Sequence, residues 1–251
     1  MDQVRLEFRG KLAILALANP DGNRMNTAVL NGLRNALPQI RTAGATALLA
    51  IGDGPVFSYG ADVAEMLTQP PEKALPIVAD YMAVIAEIEA MPIPTIAAVH
   101  GVCSSGGLEF ALAFDQLWAA AGTKIGFLEP LIFIPPLARG VQRIAARAGR
   151  SRALEVTTAG RLYEVEEFER WNIVNRVLPA DTLRSEAETF AAKAAAGPTR
   201  AIEAVKIILR VWESGGIEAA DRITPSTVAG PFDSPEAKAA IRVYLARVRE
   251  K

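Results

Sequence analysis

Residues 94–113, PTIAAVHGVCSSGGLEFALA, constrain the chain more than any other stretch. An apolar run at 95–99 behind a proline reads as a buried strand. His100-Gly101 breaks it, Gly106-Gly107 supply a turn where backbone can approach a ligand closely, and 108–113 open an apolar helical run. The start of a helix offers bare N–H groups to an anion. Glu109 is expected in the first turn of this helix, where the dipole favours its charge. Taken alone such a carboxylate is structural; the two small residues in front of it, which leave room for a bound group beside the amides, point toward chemistry.

The rest of the chain supplies strands and helices around this junction. Residues 4–8 and 12–17 flank Arg9-Gly10-Lys11 as a hairpin, and after a turn at 19–23 the pair Asn26-Thr27 caps a helix with Val29, Leu30, Leu33, Leu37 and Ile40 on one face. Residues 47–51 read as a buried strand ending in Gly52-Asp53-Gly54-Pro55, a glycine pair without the third glycine and helix of a dinucleotide fingerprint. A short strand at 56–58 enters a tight turn, shaped by Asp62, and then a helix. Residues 77–91 form an amphipathic helix burying Ile77, Tyr81, Val84, Ile85 and Ile88. After the central stretch, 115–121 and 123–127 return as strands. Glu129 follows in the apolar context LEPLIFIPP, where desolvation raises a carboxyl pKa unless Arg139 or Arg143 pairs with it.

A basic helix covers 142–148, and Gly149 starts another. A long helix over 181–196 stops at Gly197-Pro198. Beyond it the chain is almost all helix, with Ile202, Val205, Ile208, Leu209 and Trp212 on one face and a last helix after Ser234-Pro235. Strand and helix alternate before this point, so the fold class is α/β, with domains at 1–197 and 198–251.

Charge and residue usage exclude several functions. A formal net charge of −1 gives no general reason to expect nucleic acid or anionic membrane partners. One cysteine and one histidine rule out an internal disulfide framework and the usual zinc ligand sets. No apolar run reaches the length of a membrane span, and Met1-Asp2-Gln3 leads into charged sequence without a signal peptide, so a cytoplasmic location is expected.

Three segments, in order, resemble the crotonase family, also called the enoyl-CoA hydratase/isomerase superfamily. FSYGADVAEM at 57–66 is similar to its first oxyanion-hole signature, PTIAAVHGVCSSGGLEFALAFD at 94–115 to its second, and GFLEPLIFIPPLARGVQRI at 126–144 to the segment holding a second active-site glutamate. Weaker likeness continues through WNIVNRVLPADTL and PTRAIEAVK. The resemblance implies a spiral of repeated ββα units with a C-terminal helical trimerisation region, giving a homotrimer or a dimer of trimers. It also implies a coenzyme A thioester as substrate, with no tightly bound cofactor and no metal.

Carried over by position, the amides of Ala61 and Gly106 form the oxyanion hole. Glu109 orients and deprotonates a water, and Glu129 exchanges the proton at C2. Ser58, Tyr59, Gly60 and Asp62 line the substrate, and Arg24 and Arg247 are candidates for the coenzyme A phosphates. Having both acids favours hydration of 2-enoyl-CoA over double-bond isomerisation by Glu129 alone; a non-catalytic acyl-CoA-binding trimer is the contrasting class. A hydrolase built on Cys103, Ser104 and His100 is poor, because neighbours in one segment seldom align as nucleophile and base. The chain also departs from the family pattern. Tyr59 replaces a small residue and His100 an asparagine. Ser105, Phe133 and Asn172 stand where glycines are frequent, and Leu137 and Arg139 occupy a usually glycine-rich turn.

Overall fold

The computed structural model describes residues 3–249, and at 71, 73–75 and 249 the backbone alone. Met1 and Asp2, part of the stretch read as lacking a leader, lie outside the described residues, as do the last two. The chain divides into two compact units between Ala195 and Ala196.

The first unit opens with a hairpin, β1 (Val4–Arg9) and β2 (Leu12–Leu17), that turns at Gly10. Helix α1 (Thr27–Thr42) starts where the Asn26 side chain accepts the Val29 N–H at 2.8 Å. Strand β3 (Ala47–Gly52), helices α2 (Val63–Thr68) and α3 (Pro71–Glu89), and strands β4 (Thr95–Val99) and β5 (Val102–Ser104) lead to helix α4 (Ser105–Leu112). Strands β6 (Gln116–Ala120) and β7 (Lys124–Phe127), a 3-10 turn at Glu129–Ile132 and helix α5 (Gly140–Thr158) follow. The unit closes with β8 (Arg161–Glu164), α6 (Val165–Arg170), β9 (Arg176–Leu178) and α7 (Leu183–Ala195). The second unit holds α8 (Thr199–Asp233), kinked at Gly216, and α9 (Pro235–Arg249).

The large sheet runs β1-β2-β3-β4-β6-β9, parallel except for the opening hairpin. Strands β2, β3 and β4 are buried at every position because both sheet faces are covered. One face packs against α1, α3 and α4 through residues such as Leu33, Ile85 and Phe110. The other meets Leu183, Ala187 and Ala191 of α7 around Trp118. A smaller sheet runs β5-β7-β8. Two strand-strand-helix turns, β4-β5-α4 and β6-β7-α5, step from the large sheet to the small one and put the starts of α4 and α5 beside the same space.

Several expectations need correction. Gly106-Gly107 are not a turn before the helix but lie inside the first turn of α4, and Glu109 falls in the second turn. The reversal is made instead by Gly101 (φ +63°) and Ser105 (φ +52°), which leaves room for β5 to pair with β7 between them. Residues 56–58 form no strand, only a single bridge from Ser58 to Cys103. Helix α3 starts at Pro71, before Ile77, since a proline at the first helical position gives up no hydrogen bond. Val205, Leu209 and Trp212, placed on one helix face by their spacing, are each about half exposed.

Gly101 carries the crossing between sheets. Its carbonyl accepts the Lys124 N–H at 2.8 Å, and a Cβ there would lie 2.1 Å from the Pro55 carbonyl oxygen. Gly101→Ala is expected to lower unfolding stability by about 3 kcal/mol, combining a left-handed φ with a backbone clash. An unchanged denaturation midpoint would show that the crossing is not this tight.

Candidate active site

The loop 57–62 is held from below. Ser58 Oγ donates to the Asn23 carbonyl at 2.7 Å and accepts the Gly60 N–H at 3.0 Å. Met25 N–H donates to the Gly60 carbonyl and Asp62 N–H to the Met25 carbonyl, so Met25 and Ala61 form a parallel bridge. In such a bridge the N–H of Ala61 itself points away from Met25. Asp62 caps α2 by accepting the Glu65 N–H at 2.9 Å.

This loop lies directly on the start of α4. A Cβ at Gly60 would meet Ser105 Cβ at 2.7 Å, and one at Gly107 would meet the Ser58 side chain at 2.4 Å. The Cβ position of Gly106 is 3.3 Å from the Ala61 nitrogen. Gly106 is the second residue of α4, where an N–H has no acceptor within its own helix. Its carbonyl accepts the Tyr81 hydroxyl, and burial pushes that phenol well above its ordinary pKa. Two main-chain donors from separate loops therefore stand side by side, an arrangement suited to an oxygen that gains negative charge.

Glu109 projects from α4 toward the start of α5 and is 2% exposed. Its Oε1 accepts the Ala138 N–H at 2.7 Å and the Gly140 N–H at 3.0 Å. Gly140 has to be small here, because its Cβ would lie 2.7 Å from the Phe127 ring and 3.0 Å from Glu109 Cγ. Burial pushes the Glu109 carboxyl up to about 7, against the pull of these amides; Glu129 adds repulsion and Arg143 opposes it. Glu129, 7% exposed, opens the 3-10 turn and accepts the Ser105 hydroxyl at 3.0 Å. Its pKa is also raised by burial, while Ser105 and nearby amides work against the rise. The expected alternative, a salt bridge to Arg139 or Arg143, is absent, since both arginines pair with Glu89 at the end of α3.

Both carboxylates face one cavity of about 290 Å³, walled largely by apolar side chains such as Met25, Leu30, Met66, Ile132 and Leu137. The structure brings Ala61, Gly106, Glu109, Glu129, Arg24 and Tyr59 to its wall. The Arg24 guanidinium lies 5.5 Å from the Tyr59 ring centre and pairs with Asp21, and Tyr59 packs where a Cβ on Gly22 would be 2.1 Å away. Ser58, Gly60 and Asp62 are not part of the wall; their polar groups shape the loop behind it. Arg247 lies exposed on α9, in the second unit.

The residues sequence reasoning missed are those that hold others in place. Tyr81 was legible only as a helix position, the Ala138 and Gly140 amides carry no side-chain signature, and Ser105 showed only as a replaced glycine. The disfavoured nucleophile set is dispersed. His100 contacts the Gly54 carbonyl, Ser104 donates to the Tyr59 carbonyl, and burial pushes the Cys103 thiol up. Among the described residues no three His, Cys, Asp or Glu side chains gather as a metal-holding group.

Residues 7–229 match the family model for enoyl-CoA hydratase/isomerase. A probable enoyl-CoA hydratase, echA8, of Mycobacterium tuberculosis is 32% identical over 192 residues, covering 76% of this chain and 74% of that protein. A probable enoyl-CoA hydratase of Bacillus subtilis is 28% identical over 248 residues, 98% of this chain and 96% of its own. The structure of an enoyl-CoA hydratase subunit I from Geobacillus kaustophilus superposes with a TM-score of 0.91 at 26% identity, covering 98% of this chain and 95% of that one. One from Bacillus anthracis, 24% identical, gives 0.92 with 98% and 96% covered, a likeness of fold.

Because Glu109 holds its proton up to about pH 7 when folded and only to about 4.5 when unfolded, the native state binds more protons between those values. Stability therefore falls as pH rises through that window, by about 3 kcal/mol for the whole shift. Glu109→Gln keeps the acceptor for the two amides and removes the charge. Its unfolding free energy is expected to exceed the parent's at pH 8.5 by up to that amount and to match it near pH 4.5. A gap that is the same at both pH values would contradict this account.

Proposed function

The chain belongs to the enoyl-CoA hydratase/isomerase (crotonase) family, and within it we propose that the protein hydrates a 2-enoyl-CoA to a 3-hydroxyacyl-CoA. One observation carries the proposal: two buried carboxylates, held by neutral donors, share a largely apolar cavity with the main chain of Ala61 and Gly106. A binding protein gains nothing from the cost of burying two acids there.

In this reading the thioester oxygen sits between the amides of Ala61 and Gly106. Negative charge moves onto that oxygen as the adjacent carbons react, and each donor is worth about 3 kcal/mol in the transition state. Glu109, its Oε1 fixed by Ala138 and Gly140, presents its other oxygen to a water. It removes a proton as the water oxygen bonds to C3. The C2=C3 electron pair flows toward the thioester oxygen, and C2 takes a proton from Glu129. The proton on Glu109 then passes back to Glu129 through exchange, so one water is added overall. Burial raises the pKa of both acids, and Glu129 raises that of Glu109 further, which keeps a proton available near neutral pH.

No metal or resident cofactor enters this scheme; the coenzyme A thioester is substrate. Arg24, with its charge at the cavity wall beside Tyr59, is the contact we assign to the coenzyme A phosphates in this unit, and Arg247 the candidate in the other. The exposed apolar residues of the second unit, Trp212, Ile217, Phe232 and Tyr244 among them, support assembly through 198–251 as a trimer or a dimer of trimers. No described helix is long and apolar enough to cross a membrane, and a cytoplasmic location belongs to the same proposal.

Crotonyl-CoA distinguishes the alternatives. Hydration removes the conjugated enone absorbance, an isomerase creates it from a 3-enoyl-CoA, and a binder does neither. Glu129→Gln is expected to lower kcat about 10²- to 10⁴-fold with thioester affinity nearly unchanged. Glu109→Gln should cost hydration as much while sparing any isomerisation. Full turnover by either variant in the crotonyl-CoA assay would refute the role given to that acid. Arg24→Ala should raise KM several-fold with kcat held, and an unchanged KM would remove Arg24 from the coenzyme A site.

A further inference from the structure

Ser105 sits in a conformation that serine gains nothing from adopting. Its φ of +52° lies in the left-handed region that glycine enters freely and other residues enter at a cost. The side chain kept there bridges two groups. Its hydroxyl donates to Glu129 Oε2 at 3.0 Å and accepts the Leu128 N–H at 3.2 Å. Leu128 is the residue from which the 3-10 turn carrying Glu129 begins, so the hydroxyl grips both the acid and the backbone that presents it.

Among the described residues no salt bridge to this acid is found. Arg139 and Arg143 are drawn to Glu89, and Leu131, Ile132 and Phe133, which follow Glu129 in the chain, are exposed apolar residues. The backbone amides of Leu128 and Glu129 also act on this carboxylate from its own turn, and the Ser105 hydroxyl is the side-chain donor that ties it to α4.

We propose that Ser105 is a positioning residue: its hydroxyl holds the Glu129 carboxylate toward the reacting carbon and against the start of α4, next to the Gly106 amide. The role rests on the assignment of Glu129 as the acid that exchanges the C2 proton. A hydrogen bond donated to the charged carboxylate also favours its ionised form, opposing the upward push of burial. The left-handed backbone is the cost of this placement, and the trade predicts opposite effects on stability and on turnover.

Two variants test it on the intact protein with a 2-enoyl-CoA substrate. Ser105→Ala keeps the Cβ and loses the hydroxyl. Ser105→Gly also loses the hydroxyl but relieves the backbone. Both are expected to lower kcat about tenfold, with KM little changed, the loss of one charge-assisted hydrogen bond. Both should move the alkaline limb of the kcat profile, where Glu129 loses the proton it gives to C2, upward by about one pH unit. Ser105→Gly should melt no lower than the parent.

Parental kcat and pH profile in both variants would overturn the proposal. So would a loss in Ser105→Ala that Ser105→Gly restores, since that pattern belongs to backbone geometry. Glu129→Gln measured alongside separates the two levels. If it is inactive while both Ser105 variants are parental, only the positioning role fails. If it keeps full turnover, the catalytic reading itself fails and Ser105 has no acid to position.

Discussion

The rest of the site depends on one close approach of backbone to backbone, where the loop 57–61 lies on the first turn of α4. Side chains are excluded at the crossing. Gly60 faces Ser104 and Ser105, Gly107 faces Ser58, and Gly106 faces the nitrogen of Ala61. Only with these positions bare can backbone segments 45 residues apart come this close (106 − 61 = 45). Ser58, buried and bonded on both sides, keeps the loop from relaxing away. The two main-chain segments are thus held together by the fold itself, the preorganisation that the proposed role of the Ala61 and Gly106 amides requires.

Placing two acids beside those donors works against stability. Glu109 and Glu129 are buried, each raised in pKa chiefly by desolvation, and the first also feels the second. The chain compensates with neutral donors and leaves the arginines elsewhere. Ala138 and Gly140 N–H groups hold Glu109, the Ser105 hydroxyl holds Glu129, and Glu89 absorbs Arg139 and Arg143. A guanidinium paired with either acid would have lowered its pKa and with it the carboxylate's basicity.

The departures from the family pattern share a physical basis. Ser105, Phe133, Arg139 and Asn172, all where glycines are frequent, have φ values of +52°, +62°, +69° and +61°. The backbone has kept the left-handed turns that explain those glycines and has added side chains to them. At Ser105 the side chain reaches an acid. At Arg139 it reaches Glu89, and at Phe133 it stands almost wholly in solvent. The structure offers no account of what Phe133 does there.

Much of this protein was legible from the residues in order. Strands 12–17 and 95–99 and the cap at Asn26 follow from local apolar patterning and side-chain chemistry, which act within a few residues. The family resemblance singled out Ala61, Gly106, Glu109 and Glu129 by position, and the structure brings all four to one cavity. Local pattern failed where partners are distant. Residues 102–104 became a strand because β7 pairs with them, and that pairing moved Glu109 from the first helical turn to the second. The apolar face of Val205, Leu209 and Trp212 follows helical spacing, yet spacing cannot say whether anything lies over it. The sequence alone determined which titratable side chains and glycine-flanked amides are available to a site. Their orientation, their raised pKa values and the hydroxyl that grips Glu129 were decided by tertiary structure, because hydrogen bonding and desolvation depend on distance in space.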